Sequence, residues 1–330
     1  MAAASDLLIH VPSRSPVIVA AQQIRPHTTY RHEAFFWRNS EQFLAGTVPF
    51  IVEGLAADEP VMVAVVDSQT QLIREALGPD ADRVHFVDMA ELGRNPAKII
   101  PAWREFLDAE SSVGRPVRGI GEPIWPGRRP EEILESQFHE ALLNIAVEPD
   151  TPFWLLCPYD AERLPSSVIE EAHRSHPAIR DADGYRGSIT YAGRTHIDTI
   201  FASDLPELSG TADEMTFTEG LRGVPLFVAV RAHAAGVPAD EAAALAVAVQ
   251  DLAMSSLHRG ATKGTIRVRN EEHAVICDVQ DETRVDDPLA GRKAVPREQR
   301  NGLWSANQVC DLVQFRSTTA GTTVRIYHWI

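Results

Sequence analysis

Residues 243–260 read AALAVAVQDLAMSSLHRG. Apolar side chains recur there at helical intervals and Gly260 closes the run, so the spacing predicts an amphipathic helix with a glycine stop. Beyond it the period changes. Residues 274–279 (AVICDV) read as a strand of a β-hairpin that ends near Asp281, Gly302-Leu303-Trp304 as a turn, and Gly321-Thr322-Thr323 as the start of a closing strand. A helix laid on such strands predicts an α/β sandwich at the carboxyl end.

Working upstream, a second helix is expected from residue 218 or 219 through Leu221 to Ala235, stopped by Gly236. Its apolar face of Leu221, Val224, Phe227, Val228 and Ala232 fits its own sheet or a second copy of the chain, so a homodimer stays open. Residues 188–219 mix Gly193, Pro206, Ser209 and Gly210 with Asp204, Glu207, Asp213 and Glu214. That composition reads as a linker.

Before the linker the chain alternates. Residues 35–55 read as a helix, 61–66 (VMVAVV) as a strand, 69–77 as a helix and 84–87 as a strand. A helix over 99–107, a strand at 117–120, a helix over 130–147 and a strand at 153–157 continue the pattern. Near-continuous apolar strands between amphipathic helices predict a doubly wound, mainly parallel sheet. No GxxxxGK[ST] follows any strand, so a phosphate-cradling loop is not expected there. The division is then a leader (1–29), a first domain (30–187), the linker (188–219) and a second domain (220–330).

Composition bounds the function. The chain has 330 residues, 44% hydrophobic and 23% charged, which suits two cores at roughly 100–200 residues per domain. Its 46 acidic against 31 basic side chains leave a net charge of −15, which disfavours nucleic acid and anionic membranes. Protein or small-molecule partners are favoured. The apolar runs at 7–9 and 17–21 are short and lie beside Pro12 and Pro16, fitting neither a signal peptide nor a membrane span, so a cytoplasmic protein is expected. Cys157, Cys277 and Cys310 form no CxxC pair and read as small buried hydrophobes.

Two groups of residues carry candidate chemistry in the first half. Glu122, Trp125 and Arg128 leave the carboxyl end of a strand together, where open α/β sheets bind ligands, and combine a charge, an aromatic face and a guanidinium fork. A rigid loop with Trp125 in the core explains the same residues without a ligand. His173 and His176 lie three apart without further ligand spacing, and with Pro177 next to them read as a helix boundary. His139, followed by Leu142, Leu143 and Asn144, reads as core and cap.

The order of the carboxyl-terminal landmarks resembles the histidine-kinase-like ATPases, and most closely the anti-sigma-factor serine kinases. Their pattern runs roughly ExxxNAxxHG, DxGxG, GLGL and then GT before the final strand. The resemblance implies a Bergerat-type sandwich, ATP as cofactor, and a sigma factor or anti-anti-sigma factor as partner. It places the catalytic base at Asp251, magnesium at Ser255, the adenine reader at Asp281, and nucleotide contacts at Thr283, Gly302, Gly321 and Thr322. This sequence departs from the pattern at the sites of chemistry. Asp251 replaces the acid with a shorter one, Ser255 replaces the magnesium-binding Asn, and Thr283 and Val285 replace glycines. A shorter acid, a weaker oxygen ligand and two added Cβ atoms predict weak or lost phosphoryl transfer. Residues 287–292 (DPLAGR) resemble the lid of the same family.

About residues 30–190 resemble the sensory domain of methanogen and methylotroph regulators, a relative of the recombinase ATPase fold without its phosphate loop. The resemblance rests on Tyr30-Arg31-His32-Glu33, the run 119–128 (GIGEPIWPGR), Glu135 with Ala141-Leu142-Leu143-Asn144, and Trp154-Leu155-Leu156-Cys157-Pro158-Tyr159. It implies a small-molecule sensor, with His32, Glu122, Trp125, Arg128 and Glu135 as the ligand residues.

Overall fold

The structure, a computed structural model, describes residues 28–111, 115–293 and 301–330. Almost all of the leader assigned from sequence lies outside the described residues. The first half alternates strand and helix: β1 (Arg31–Trp37), α1 (Ser40–Ala56), β2 (Val61–Val65), α2 (Asp67–Leu77), β3 (His85–Asp88), α3 (Met89–Leu92) and α4 (Ile99–Ser111). It continues through β4 (Val117–Gly121), α5 (Pro130–Ala146), β5 (Phe153–Asp160), α6 (Ser166–Ser175), β6 (Ala178–Asp181) and β7 (Gly184–Gly187). These strands form a seven-stranded sheet in the order β3-β2-β4-β5-β1-β6-β7, parallel throughout except for the β6–β7 hairpin.

The second half runs α7 (Gly193–Phe201), β8 (Asp213–Phe217), α8 (Val224–Ala234), α9 (Ala239–His258), β9 (Gly264–Glu271), β10 (Ala274–Asp281), α10 (Gly302–Val309), β11 (Leu312–Thr318) and β12 (Gly321–Trp329). Its five strands make a separate antiparallel sheet, ordered β11-β12-β10-β9-β8. Along β10, Val275, Cys277 and Val279 face the main core while Ala274 and Ile276 face a small second cluster, the period-two alternation of a strand.

Four readings need correction. The helix expected over 35–55 is a strand followed by a helix, because Asn39 ends the apolar run and its side chain caps the Gln42 N–H at 2.9 Å. That strand, β1, sits in the middle of the sheet between β5 and β6. The turn at Gly302-Leu303-Trp304 is the first turn of α10, capped by Asn301 on the Trp304 N–H at 3.0 Å. The helix expected from 218 or 219 starts later, at Val224 with Pro225 in its first turn.

The fourth concerns residues 188–219, which are not structureless. They carry α7 and β8, the edge strand of the second sheet. Composition misled here because a few apolar residues do the packing: Ile197 and Phe217 are buried, and Phe201 lies between Phe138 of α5 and Phe315 of β11, with ring centroids 6.2 and 5.2 Å away. A continuous apolar core therefore runs from the first sheet to the second. The face of α8 formed by Val224, Val228 and Ala232 is buried, and α8 packs on α9 of the same chain.

Candidate functional site

Parallel register brings the first group of polar side chains together. On β1, His32 and Ala34 face the same side as Leu155 and Cys157 of the neighbouring strand β5, and Ala34 pairs with Cys157. Glu140 comes down from α5, and His176 arrives at the carboxyl end of α6. The ligand atoms of His32, Glu140, Cys157 and His176 lie within 4.8 Å of one another. All four side chains are buried, between 0 and 2% exposed.

The surroundings orient each ring. Asn144 donates its amide to the Ser175 carbonyl at 2.7 Å and the Ala141 carbonyl at 3.1 Å, leaving its Oδ1 to accept from His32 Nδ1 at 3.1 Å. His176 Nδ1 donates to the Ala172 carbonyl at 2.8 Å. Both Nε2 atoms therefore turn to Glu140 Oε2, at 3.2 and 2.8 Å, and Cys157 Sγ stands 3.4 Å from His32 Nε2. Burial holds His32 below its ordinary pKa, with His176 adding to the effect. Burial would raise the Glu140 carboxyl, but the two imidazole rings of His176 and His32 set against it win and hold it below the usual range. Burial beside Glu140 pushes the Cys157 thiol up.

The residues expected to make a sensory pocket do not form one group. His32 belongs to the cluster above. Glu122 is fully buried at the end of β4, and Trp125 is partly buried beyond it. Arg128 is buried and donates to the carbonyls of Pro123 and Gly93, with its guanidinium 4.4 Å from the Trp125 ring. Its fork pins the loop to the end of α3. Burial brings its pKa down to about 10 despite the nearby Glu132. Glu135, on α5, is gripped from the carboxyl-terminal half by Arg292 and by Arg316, the latter at 3.0 Å.

Burial, helped by the charge of Asp160, raises the Glu122 pKa well above the ordinary carboxyl value of 4.5. Between those two values the folded state holds the extra proton, so stability falls as pH rises above the unfolded value. Glu122→Gln is expected to stabilise the protein by an amount that grows as pH rises above the ordinary carboxyl range. Denaturant midpoints measured along that rise in pH would show it, and a gap independent of pH would contradict it.

Next to this loop, between the two halves, lies a cleft of about 900 Å³. Trp125, Arg129 and Glu132 wall one side, and Glu241, Asp311, His328 and Trp329 the other. Arg129 stacks over the Trp329 ring at 4.3 Å.

A third group lies between α9 and α10. Asp251 and Ser255 stand one turn apart on α9 and line a cleft of about 400 Å³ with Arg259, Asn301 and Gly302. A Cβ on Gly302 would sit 2.4 Å from the Asp251 carbonyl oxygen, so glycine lets α10 start against α9. Ser255 Oγ accepts the Gly302 N–H at 2.9 Å. Asp281 accepts from the Arg259 guanidinium and the Thr283 N–H, both at 2.8 Å, and from the Thr283 hydroxyl. Thr322 Oγ1 donates to the Thr283 carbonyl at 2.7 Å. Gly321 has φ 136°, and a Cβ there would come 2.1 Å from the Asp281 carbonyl oxygen. Asp281, Thr283, Gly321 and Thr322 thus form one closed corner. Arg259 spans the 400 Å³ cleft and this corner.

Sequence reasoning missed Glu140, Cys157 and His176 as partners of His32. Residues 32 and 157 are 125 apart in the chain, and only strand register shows that they meet. The one local signal was a pair of histidines at the end of a helix, and its two members diverge. His176 joins the cluster, whereas His173 stacks on Phe36, 4.8 Å away.

Residues 31–177 match the family described as MEDS: MEthanogen/methylotroph, DcmR Sensory domain. The match points to a sensory or signalling role for that segment. No curated protein matches the chain. Among the described residues no helix is long and apolar enough to cross a membrane.

Proposed function

We propose that the chain is a signalling regulator whose first half, a recombinase-like sheet without a phosphate loop, senses a small molecule and controls a kinase-like, Bergerat-type second half. The second half acts by capturing a sigma factor or an anti-anti-sigma factor rather than by phosphorylating it. The observation that carries this reading is the grip on Glu135. The helix that supplies Glu140 to the buried cluster also supplies Glu135 to Arg292, in the lid-like segment, and to Arg316 of β11. A shift of α5 in the sensory half is thereby felt at the edge of the second half.

Loss of nucleotide chemistry follows from the closed corner. Asp281 already has three donors on its carboxylate, and Ser255 spends its hydroxyl on the α10 backbone. Adenine would have to displace Arg259 from a charge-assisted bond worth roughly 1.5–3 kcal/mol. Magnesium would lose the amide oxygen it needs. Calorimetric titration with magnesium and ATP is expected to give no saturable heat at millimolar nucleotide, and a radiolabel assay no transfer to an anti-anti-sigma protein. Micromolar binding or steady turnover would replace this reading with that of an active serine kinase.

The cleft between the halves supports a second reading, a small-ligand module independent of ATP. Its two tryptophans and mixed charges suit a small amphipathic molecule. Compounds that raise the melting temperature of the whole chain should lose that effect in Trp125→Ala and keep it in Ser255→Ala. Equal retention in both variants would place the ligand elsewhere.

A further inference from the structure

We infer that His32, Glu140, Cys157 and His176 form a binding site for one divalent, borderline-soft transition metal ion, zinc being the first choice. The ring tautomers point there first. Asn144 Oδ1 and the Ala172 carbonyl can only accept, so they place the imidazole protons on the Nδ1 atoms of His32 and His176. The two Nε2 lone pairs then point at the same carboxylate oxygen, Glu140 Oε2, from 3.2 and 2.8 Å. Two neutral lone pairs and an anionic oxygen repel unless a positive charge lies among them. Holding each ligating histidine through its other nitrogen is also the way proteins orient imidazoles toward metals.

The donor set and its spacing select the ion. Two imidazole nitrogens, one carboxylate oxygen and one sulfur match zinc, whereas magnesium and calcium take oxygen ligands. Tetrahedral bonds of roughly 2.0–2.3 Å have edges of roughly 3.3–3.7 Å. The separations of 2.8, 3.2 and 3.4 Å lie at or under those edges and no two ligand atoms are more than 4.8 Å apart, so small adjustments of the side chains seat an ion. Charge closes as well. Binding forms four coordinate bonds, breaks the Cys157 S–H bond and sends that proton to solvent. The ion's two positive charges then balance the thiolate and the carboxylate, leaving a neutral centre in a buried place.

Four protein ligands on a buried ion describe a closed site, which holds structure in place. It would tie α5 and α6 to the central strands β1 and β5. This inference is separate from the reading of the second half as a partner-binding module, and its test does not involve nucleotide or partner.

Metal analysis of the full chain purified without chelator is expected to find about one zinc per chain. Exchange for cobalt should give visible d–d bands of tetrahedral intensity and a near-ultraviolet thiolate band. Cys157→Ser should lose the thiolate band and Cys277→Ser should keep it. Asn144→Ala, which only orients His32, should weaken zinc in chelator competition by roughly tenfold to a hundredfold. If Cys157→Ser does not fold, the wild-type cobalt spectrum with and without thiol alkylation decides the same point. A folded wild-type chain that carries no metal and takes up neither zinc nor cobalt would overturn the site and leave a proton-bridged His-Glu-His cluster. Equal cobalt spectra in Cys157→Ser and wild type would remove Cys157 from it.

Discussion

Replacing Glu135 by alanine is expected to destabilise the protein by about 3–5 kcal/mol, because it leaves buried charge without a counterion. The guanidiniums of Arg292 and Arg316 both lie on its carboxylate, and their side chains are each 3% exposed. Burial already lowers the Arg292 pKa despite the carboxylate beside it. Without Glu135 the cations of the 287–292 segment and of β11 would face each other unbalanced. Removing the whole triad should hurt less, since a buried ion cluster replaced by apolar residues of similar size is often neutral. The triple variant Glu135→Leu, Arg292→Met, Arg316→Leu should therefore regain most of the loss. Denaturant midpoints of the two variants provide the check. A single variant within about 1 kcal/mol of the parent would show that the triad holds nothing together.

The second large effect is expected at Trp103. This α4 side chain is 1% exposed, lies over Gly119 of β4 and meets the Phe153 ring at a centroid distance of 5.5 Å. A Cβ on Gly119 would come 2.8 Å from the indole, so strand and ring are matched in shape. Trp103→Ala is expected to cost about 3–5 kcal/mol through lost burial and an unfilled cavity. Trp103→Phe fills part of the space and should cost less. Equal losses for the two would mean that the site collapses around the gap, and the packing argument would fail.

Some of the architecture was legible because local pattern and final environment agree. The apolar runs at β2, β4 and β5 are bounded by turn residues and alternate with amphipathic helices, and they fold as a mostly parallel sheet. β1 was misread for a physical reason. Ala34-Phe35-Phe36-Trp37 is buried on both faces of the sheet, so it lacks a polar side and carries no period that separates strand from helix. Segment 188–219 failed differently. Its polar majority is real, but Ile197 and Phe201 suffice to dock α7 against α5 and β11.

The same contrast holds at the sites. The resemblance to the anti-sigma-factor kinases singled out Asp251, Ser255 and Gly302, and they line one cleft because α9 and α10 are adjacent helices whose contact depends on a glycine. It also pointed to Asp281 and Thr283, but not to Arg259, whose side chain reaches Asp281 across the helix-to-hairpin turn and occupies its carboxylate. Arg128 and Glu135 read as ligand groups, yet one pins its loop to α3 and the other joins the two halves. Residue types and local spacing thus determined most of the strands and helices, which periodicity over a few turns carries, and supplied the polar residues they hold. Tertiary structure alone decided which of those residues meet. His32, Glu140, Cys157 and His176 come from two strands and two helices, and only the parallel register of β1 on β5 and the docking of α5 and α6 bring them within 4.8 Å.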